Sequence, residues 1–297
     1  MMMNRDVTSA VLLLAHGSPE SPDQIPEFLL RVTGGRPVSA ETIKEVQHRY
    51  GLIGRSPLTT LTQGQADLLA EKLGLRVYVG MRNWHPFIAD TVRKMVADGV
   101  LRAVVICLAP QNSRTSVGLY RAALNKENPP FTFEFVESWH EHPLLIQAFT
   151  QKLLARRKAG VPVIFTAHSV PARTVEEGDP YEQQAKETAA GVARQAGLAP
   201  EEWAFAFQSQ GMSGGPWLGP TVEETILELK KKGRDSVLVQ PIGFLCDHVE
   251  VLYDIDIAFK EFAAKQGMRL TRAESLNDSP LLINALADLV RKIPVKC

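Results

Sequence analysis

Apolar residues fall along the chain in short continuous runs separated by segments of helical spacing. Residues 11–15 (VLLLA) form an unbroken apolar run that stops at His16-Gly17-Ser18-Pro19, the pattern of a buried parallel strand ending in a turn. Runs of the same kind occur at 77–79, 103–109, 131–136, 161–167, 203–208 and 236–242. Helical periodicity fills 40–50, 61–73, 86–98, 143–159, 181–196, 221–232, 258–266 and 280–293. Strands alternating with helices predict an α/β protein with parallel sheets, whose chemistry sits at strand carboxyl ends. LLLAHGSP (12–19) and IFTAHSVP (164–171) echo one another about half a chain apart. The repeat predicts two similar doubly wound halves, 1–158 and 159–297, facing each other across a cleft with a histidine at each strand tip. The last helix is expected to pack back on the first half.

One segment breaks the pattern. PIGFLCDHVEVLYDID (241–256) starts as a strand and then sets Asp247, His248, Glu250, Asp254 and Asp256 within ten residues. As a helix it would stack Glu250 and Asp254 on one face, with Asp247 on the same side. Acids favour a helix's first turn on dipole grounds alone. Yet Val249, Val251, Leu252, Ile255 and Ile257 make the segment too apolar for an exposed helix, so these carboxylates await a cation or a proton.

Composition narrows the partners. The 297 residues balance 33 basic against 33 acidic side chains, which excludes a bulk affinity for nucleic acid. The run at 10–15 is too short to span a bilayer and lacks the flanks of a signal sequence. Three scattered cysteines, Cys107, Cys246 and Cys297, build no disulfide framework or four-thiolate cluster, consistent with a reducing cytoplasm.

Several residues are candidates for chemistry. His168 is held between a strand and Pro171, suiting an imidazole that accepts a proton or ligates a divalent metal. His16 has the same setting beside Gly17, where a ligand can approach closely. His140 and His142 (WHEHP) have the spacing of a metal pair but read more simply as a loop. Gly211 to Pro220 (GMSGGPWLGP) is a shaped loop presenting Trp217. Arg31, Arg36, Arg49 and Arg55, amid glycines and followed by Ser56-Pro57, suit carboxylates, and Tyr120 and Arg114 are lesser candidates. No P-loop, dinucleotide fingerprint or nucleophile elbow is present.

Together, LLLAHGSPE, IGRSPL, GMRNWHPFI, LAPQNS, TAHSVP with GDPY, QSQGMSGGPWLGP and PIGFLCDHVEVLYDID resemble the ferrochelatase family along nearly the whole chain. The resemblance implies two flavodoxin-like halves with the macrocycle expected in the cleft between them, and insertion of Fe2+ into a porphyrin during haem synthesis, with His168 and Glu250 catalytic and His168, Glu250 and Asp254 handling metal or protons. It implies substrate contacts from His16, Arg31, Arg36, Arg49, Ser56, Tyr120 and Trp217, and a transient partner that accepts haem or delivers porphyrin. Iron is then a substrate; no tightly bound cofactor is expected, and no cysteine set matches the family's optional 2Fe-2S cluster. Three features depart from the family: Ala258 stands where the acidic row usually continues, pointing to a shorter relay or one through Asp256; His16 replaces a Tyr or Met; and one glycine precedes Arg55. The short polar stretch 20–50 lacks an apolar lip and resembles the soluble forms that use coproporphyrin III, although protoporphyrin IX stays open. The rival readings are a sirohydrochlorin chelatase and a non-catalytic tetrapyrrole or iron carrier.

Overall fold

The computed structural model describes residues 8–210 and 215–293, and two compact units emerge from it. The first contains residues 1–110, 116–139 and 277–297; the second contains 111–115 and 140–276. Apart from the short excursion at 111–115, the chain passes to the second unit at Trp139–His140, ahead of the expected 158, and the last helix belongs to the first unit.

In the first unit the elements are β1 (Ser9–Ala15), α1 (Ile25–Val32), α2 (Ala40–Ile53), α3 (Leu58–Leu73), β2 (Arg76–Met81), α4 (Ile88–Ala97), β3 (Arg102–Cys107), α5 (Val117–Lys126) and β4 (Thr132–Val136). The second unit has α6 (Pro143–Arg156), β5 (Val163–His168), α7 (Ala172–Glu176), α8 (Tyr181–Gln195), β6 (Trp203–Gln208), α9 (Val222–Lys231), β7 (Ser236–Pro241), α10 (Val249–Leu252), a π-helix (Asp254–Phe259), α11 (Lys260–Lys265) and β8 (Arg269–Arg272). Helix α12 (Pro280–Lys292) returns to the first unit and packs on α3.

Both sheets are parallel and share one winding. Their orders are β2-β1-β3-β4 and β6-β5-β7-β8, so the first strand of each unit lies at the point where the order reverses. A doubly wound sheet opens its binding crevice there, at the carboxyl ends. His16 follows β1 and His168 ends β5, each at this position. The two-half α/β architecture read from the repeat is therefore the one observed.

Burial explains the continuous apolar runs. Val11 to Leu14 and Val163 to Phe165 are fully buried, and each such side chain contributes roughly 1.5–3 kcal/mol. The second core continues through Ile164, Val239 and Ile226 to Val251, Ile255 and Phe259. The apolar residues of the acidic segment thus anchor it to the sheet. Its polar residues are left to face elsewhere.

Candidate active site

His168 is the last residue of β5, paired with Gln208 of β6. Its Nδ1–H donates to the Ser169 carbonyl, which leaves Nε2 as the basic face of the ring. Tyr181 at the start of α8 donates from its hydroxyl to the His168 carbonyl at 2.9 Å, fixing the strand end. Behind the ring, Gly243 follows β7 so closely that an added Cβ would lie 2.9 Å from the Cβ of Ala167. Gly243→Ala is expected to push β5 and β7 apart and lower stability by about 1–3 kcal/mol, read from urea unfolding; wild-type stability would show that this approach is slack.

Nε2 of His168 faces Glu250, whose Oε1 lies 3.6 Å away. His248 approaches the other oxygen of Glu250, 3.7 Å from Nε2 to Oε2, while its Nδ1–H donates to the Cys246 carbonyl at 2.9 Å. Phe244 packs its ring edge-on against both imidazoles. Burial is the largest single influence on His168 and pushes its pKa down, but the Glu250 charge and hydrogen bond, the Ser169 carbonyl and the Asp254 charge outweigh it and raise the value above the ordinary imidazole range. Burial likewise pushes Glu250 up, yet the charges and hydrogen bonds of His168 and His248 hold its carboxyl well below the usual carboxylate range. Each group thus favours the charged form of the other.

The helix that carries Glu250 is not the regular α-helix expected. After α10 the chain widens into a π-helix, with the Ala258 amide donating to Tyr253 five residues back at 2.9 Å. The wide turn separates the acids. Asp254, 9% exposed, accepts from the Ser209 hydroxyl, and Ser209 takes a left-handed backbone (φ 57°) at the end of β6. Such backbone costs about 1 kcal/mol or more and is kept where the surroundings impose it. Asp256 turns away to Arg272, which binds both its oxygens at 2.9 and 2.8 Å. Asp247 goes the same way, 3.1 Å from Arg272 and 2.7 Å from the Ser275 hydroxyl. The expected single face of Asp247, Glu250 and Asp254 is therefore corrected: Asp247 braces the turn, and Asp256 offers no route beside Asp254. Arg272→Leu would strand two carboxylates and is expected to lower stability by about 1–3 kcal/mol, less than for a fully dry pair because Asp256 is half-exposed. A thermal melt checks this, and an unchanged midpoint would count against the clamp.

Gln208, 2% exposed, was not singled out in the sequence. It accepts from Thr166 Oγ1 at 2.6 Å and donates from Nε2 to the Glu250 carbonyl at 2.7 Å, tying α10 to the sheet. Only its place inside QSQG hinted at a role. Of the glycine loop, residues 211–214 lie outside the described residues. The end of the loop is pinned beside His168: Trp217 bridges Pro171, Leu218 N–H donates to Val170 at 3.0 Å, and the Ser169 hydroxyl donates to the Leu218 carbonyl at 2.9 Å.

In the first unit, His16 is exposed, with Nδ1 3.0 Å from the Gly17 carbonyl and Nε2 2.9 Å from the Asn83 amide, which serves as donor. Gly17 has φ 84°, and a Cβ there would meet the Trp84 amide at 2.7 Å. Arg31 pairs with Glu27 and stacks over Phe87 with its Cζ 4.5 Å from the ring centre. Arg49 pairs with Glu45, and exposed Arg36 donates to its neighbour Thr33 O at 3.1 Å. Ser56 is buried with its hydroxyl unpartnered among the described residues. Tyr120 departs from expectation: it lies in the core at 6% exposure, on α5, with Arg82 over its ring, so packing accounts for it. His142 caps α6, accepting from Leu144 N at 3.3 Å, while His140 meets Glu187 at 2.9 Å. Within the polar stretch 20–50, α2 covers the helix expected at 40–50, and α1 is an additional helix with Ile25, Phe28 and Leu29 buried. Among the described residues no helix is long and apolar enough to cross a membrane.

The Ferrochelatase family model matches residues 8–293. The chain belongs to the ferrochelatase family. A ferrochelatase of Acidobacterium capsulatum is 56% identical, covering 95% of this chain and 94% of that protein. The coproporphyrin III ferrochelatase of Geobacillus kaustophilus is 36% identical, over 96% of each chain. Among solved structures, a cobalt complex of the sirohydrochlorin chelatase from Bacillus subtilis subspecies spizizenii superposes with a TM-score of 0.59 over 96% of this chain and 94% of that one. At 12% identity that likeness shows the fold alone. The chain is a ferrochelatase-family metal chelatase, which sets the sirohydrochlorin reading aside.

Proposed function

We propose that the chain inserts Fe2+ into a porphyrin, with His168 and Glu250 as the catalytic pair and Asp254 as the next group on the proton or metal path. The observation that carries this assignment is the placement of His168 Nε2 3.6 Å from Glu250 at a strand carboxyl end. Metallation exchanges two pyrrole N–H protons for one dication. His168, once deprotonated at Nε2, has the lone pair to take a pyrrole proton or to meet the incoming iron. Glu250 stabilises the imidazolium that results, and Asp254, held by Ser209, can pass the proton on. Trp217, on its pinned loop, shapes the wall of the pocket.

Iron is a substrate in this reading, and no resident cofactor is assigned. The described cysteines, Cys107 and Cys246, are buried and lie in different units. We further infer that the physiological macrocycle is of the coproporphyrin III kind. The guanidiniums of Arg31, Arg36 and Arg49 suit its four propionates better than the two of protoporphyrin IX, and relatives at 34–36% identity carry that substrate in their names. Steady-state Zn2+ insertion into the two porphyrins tests the reading. A kcat/KM about tenfold or more in favour of coproporphyrin III is expected, falling in Arg36→Ala; a preference for protoporphyrin IX would overturn it.

A further inference from the structure

Edge strand β8 borders a recess of about 330 Å³. Its wall brings together Arg156 from the end of α6, Lys158 from the loop beyond, Lys260 from the first turn of α11, and Arg269 and Arg272 from β8, against one carboxylate, Asp256. The chain as a whole has equal numbers of acids and bases, so five cations against one acid is a local concentration. Asp256 does not offset it, because both its oxygens are bound by Arg272. Arg156 shares an exposed ion pair with Glu274 at 3.1 Å, which solvent screens. Lys158, Lys260 and Arg269 have no carboxylate within ion-pair distance among the described residues.

Three uncompensated cations from three separate elements converge on one hollow, and their mutual repulsion is relieved by an anion that bridges them. Charges also guard edge strands against pairing, but that role asks for charges along the strand, not convergence from a loop and a helix as well. Position separates the recess from the His168–Glu250 pair. Arg269 is in register with Ser236, so both begin their strands, whereas His168 ends β5. The hollow therefore runs along the outer edge of β8, from Arg269 at its amino end to Arg272 at its last residue, and His168 and Glu250 are not in its wall.

We propose that this recess binds a small polyanion with two or more negative groups, of the oligophosphate or polycarboxylate kind, held by Lys158, Lys260 and Arg269 with Arg156 at the rim. Arg272 is not counted among the ligands, since Asp256 and Asp247 offset its charge and its nitrogens are committed to them and to Ser275. The volume fits a small ligand at the lower end of the usual pocket range. It is too small for a nucleic-acid groove.

Calorimetric titration of the full metal-free chain with pyrophosphate and with citrate at low ionic strength tests the proposal, with orthophosphate as a control. Saturable one-to-one binding of pyrophosphate or citrate is expected, at least tenfold tighter than orthophosphate, and whichever of the two binds better identifies the source. The double variant Lys158→Gln/Arg269→Gln should weaken it by tenfold or more while its Zn2+ insertion rate stays at wild type, which shows the fold intact. Lys260→Gln, a surface change on α11, supplies an independent reading in the same direction. Absence of saturable binding by either polyanion, or unchanged affinity in the variants, would overturn the proposal.

Discussion

Replacing His168 by alanine is expected to lower kcat for metal insertion by about 10²–10⁴-fold, the usual contribution of a positioned proton acceptor, while the Kd for porphyrin changes only a few fold. The split follows from geometry. The imidazole presents one basic nitrogen toward Glu250, and in the proposed reaction its loss removes a group used as protons leave and iron enters, not one that grips the macrocycle's rim. The strand end should survive the change, because Tyr181 and Ser169 hold it through backbone atoms. Stopped-flow Zn2+ insertion and porphyrin fluorescence quenching measure the two quantities separately. A variant that lost porphyrin affinity but metallated bound porphyrin at the wild-type rate would make His168 a binding residue.

The second large effect belongs to Glu250. Glu250→Gln keeps the shape but removes the negative charge that most strongly opposes burial at His168, and kcat is expected to fall about 10–10²-fold. The sign of the pH effect follows. In the wild type, His168 has its pKa raised, so Nε2 carries a proton up to a higher pH than an ordinary imidazole would, and kcat rises with pH as that proton is lost. Without the Glu250 charge, burial is less opposed and the His168 pKa falls, so the rising limb should move to lower pH even as its plateau drops. A profile of kcat between about pH 5 and 9 records both changes. A limb that stayed in place would mean that a different group titrates.

Much of this architecture was legible in the residues. Apolar runs marked seven of the eight strands, most plainly the central β1, β3, β5 and β7, because parallel strands covered on both faces need no polar side, and the AHG/AHS echo placed a histidine at each reversal of strand order. Strand β8 escaped notice because RLTR is four residues long and buries only alternate ones, which reads as loop. Helix α1 was hidden by charges on its outer face, Glu27 and Arg31, that pair with one another. In the acidic segment the spacing predicts an α-helical period, and the structure has a π-helix instead. Nothing local in YDIDIAF announces a π-turn; the geometry comes from long-range partners, Ser209 drawing Asp254 one way and Arg272 drawing Asp256 the other. Gln208 was equally invisible, since a buried amide reveals its function only when Thr166 and the Glu250 carbonyl appear on either side of it.

Anaerobic mixing of the wild-type chain with coproporphyrin III and Fe2+, recording the porphyrin spectrum and proton release together, tests the central assignment most directly. The expected result is catalytic conversion to the iron porphyrin over many turnovers, with two protons released per iron inserted. A porphyrin that binds and stays metal-free in the presence of excess Fe2+ would contradict it and leave a tetrapyrrole carrier.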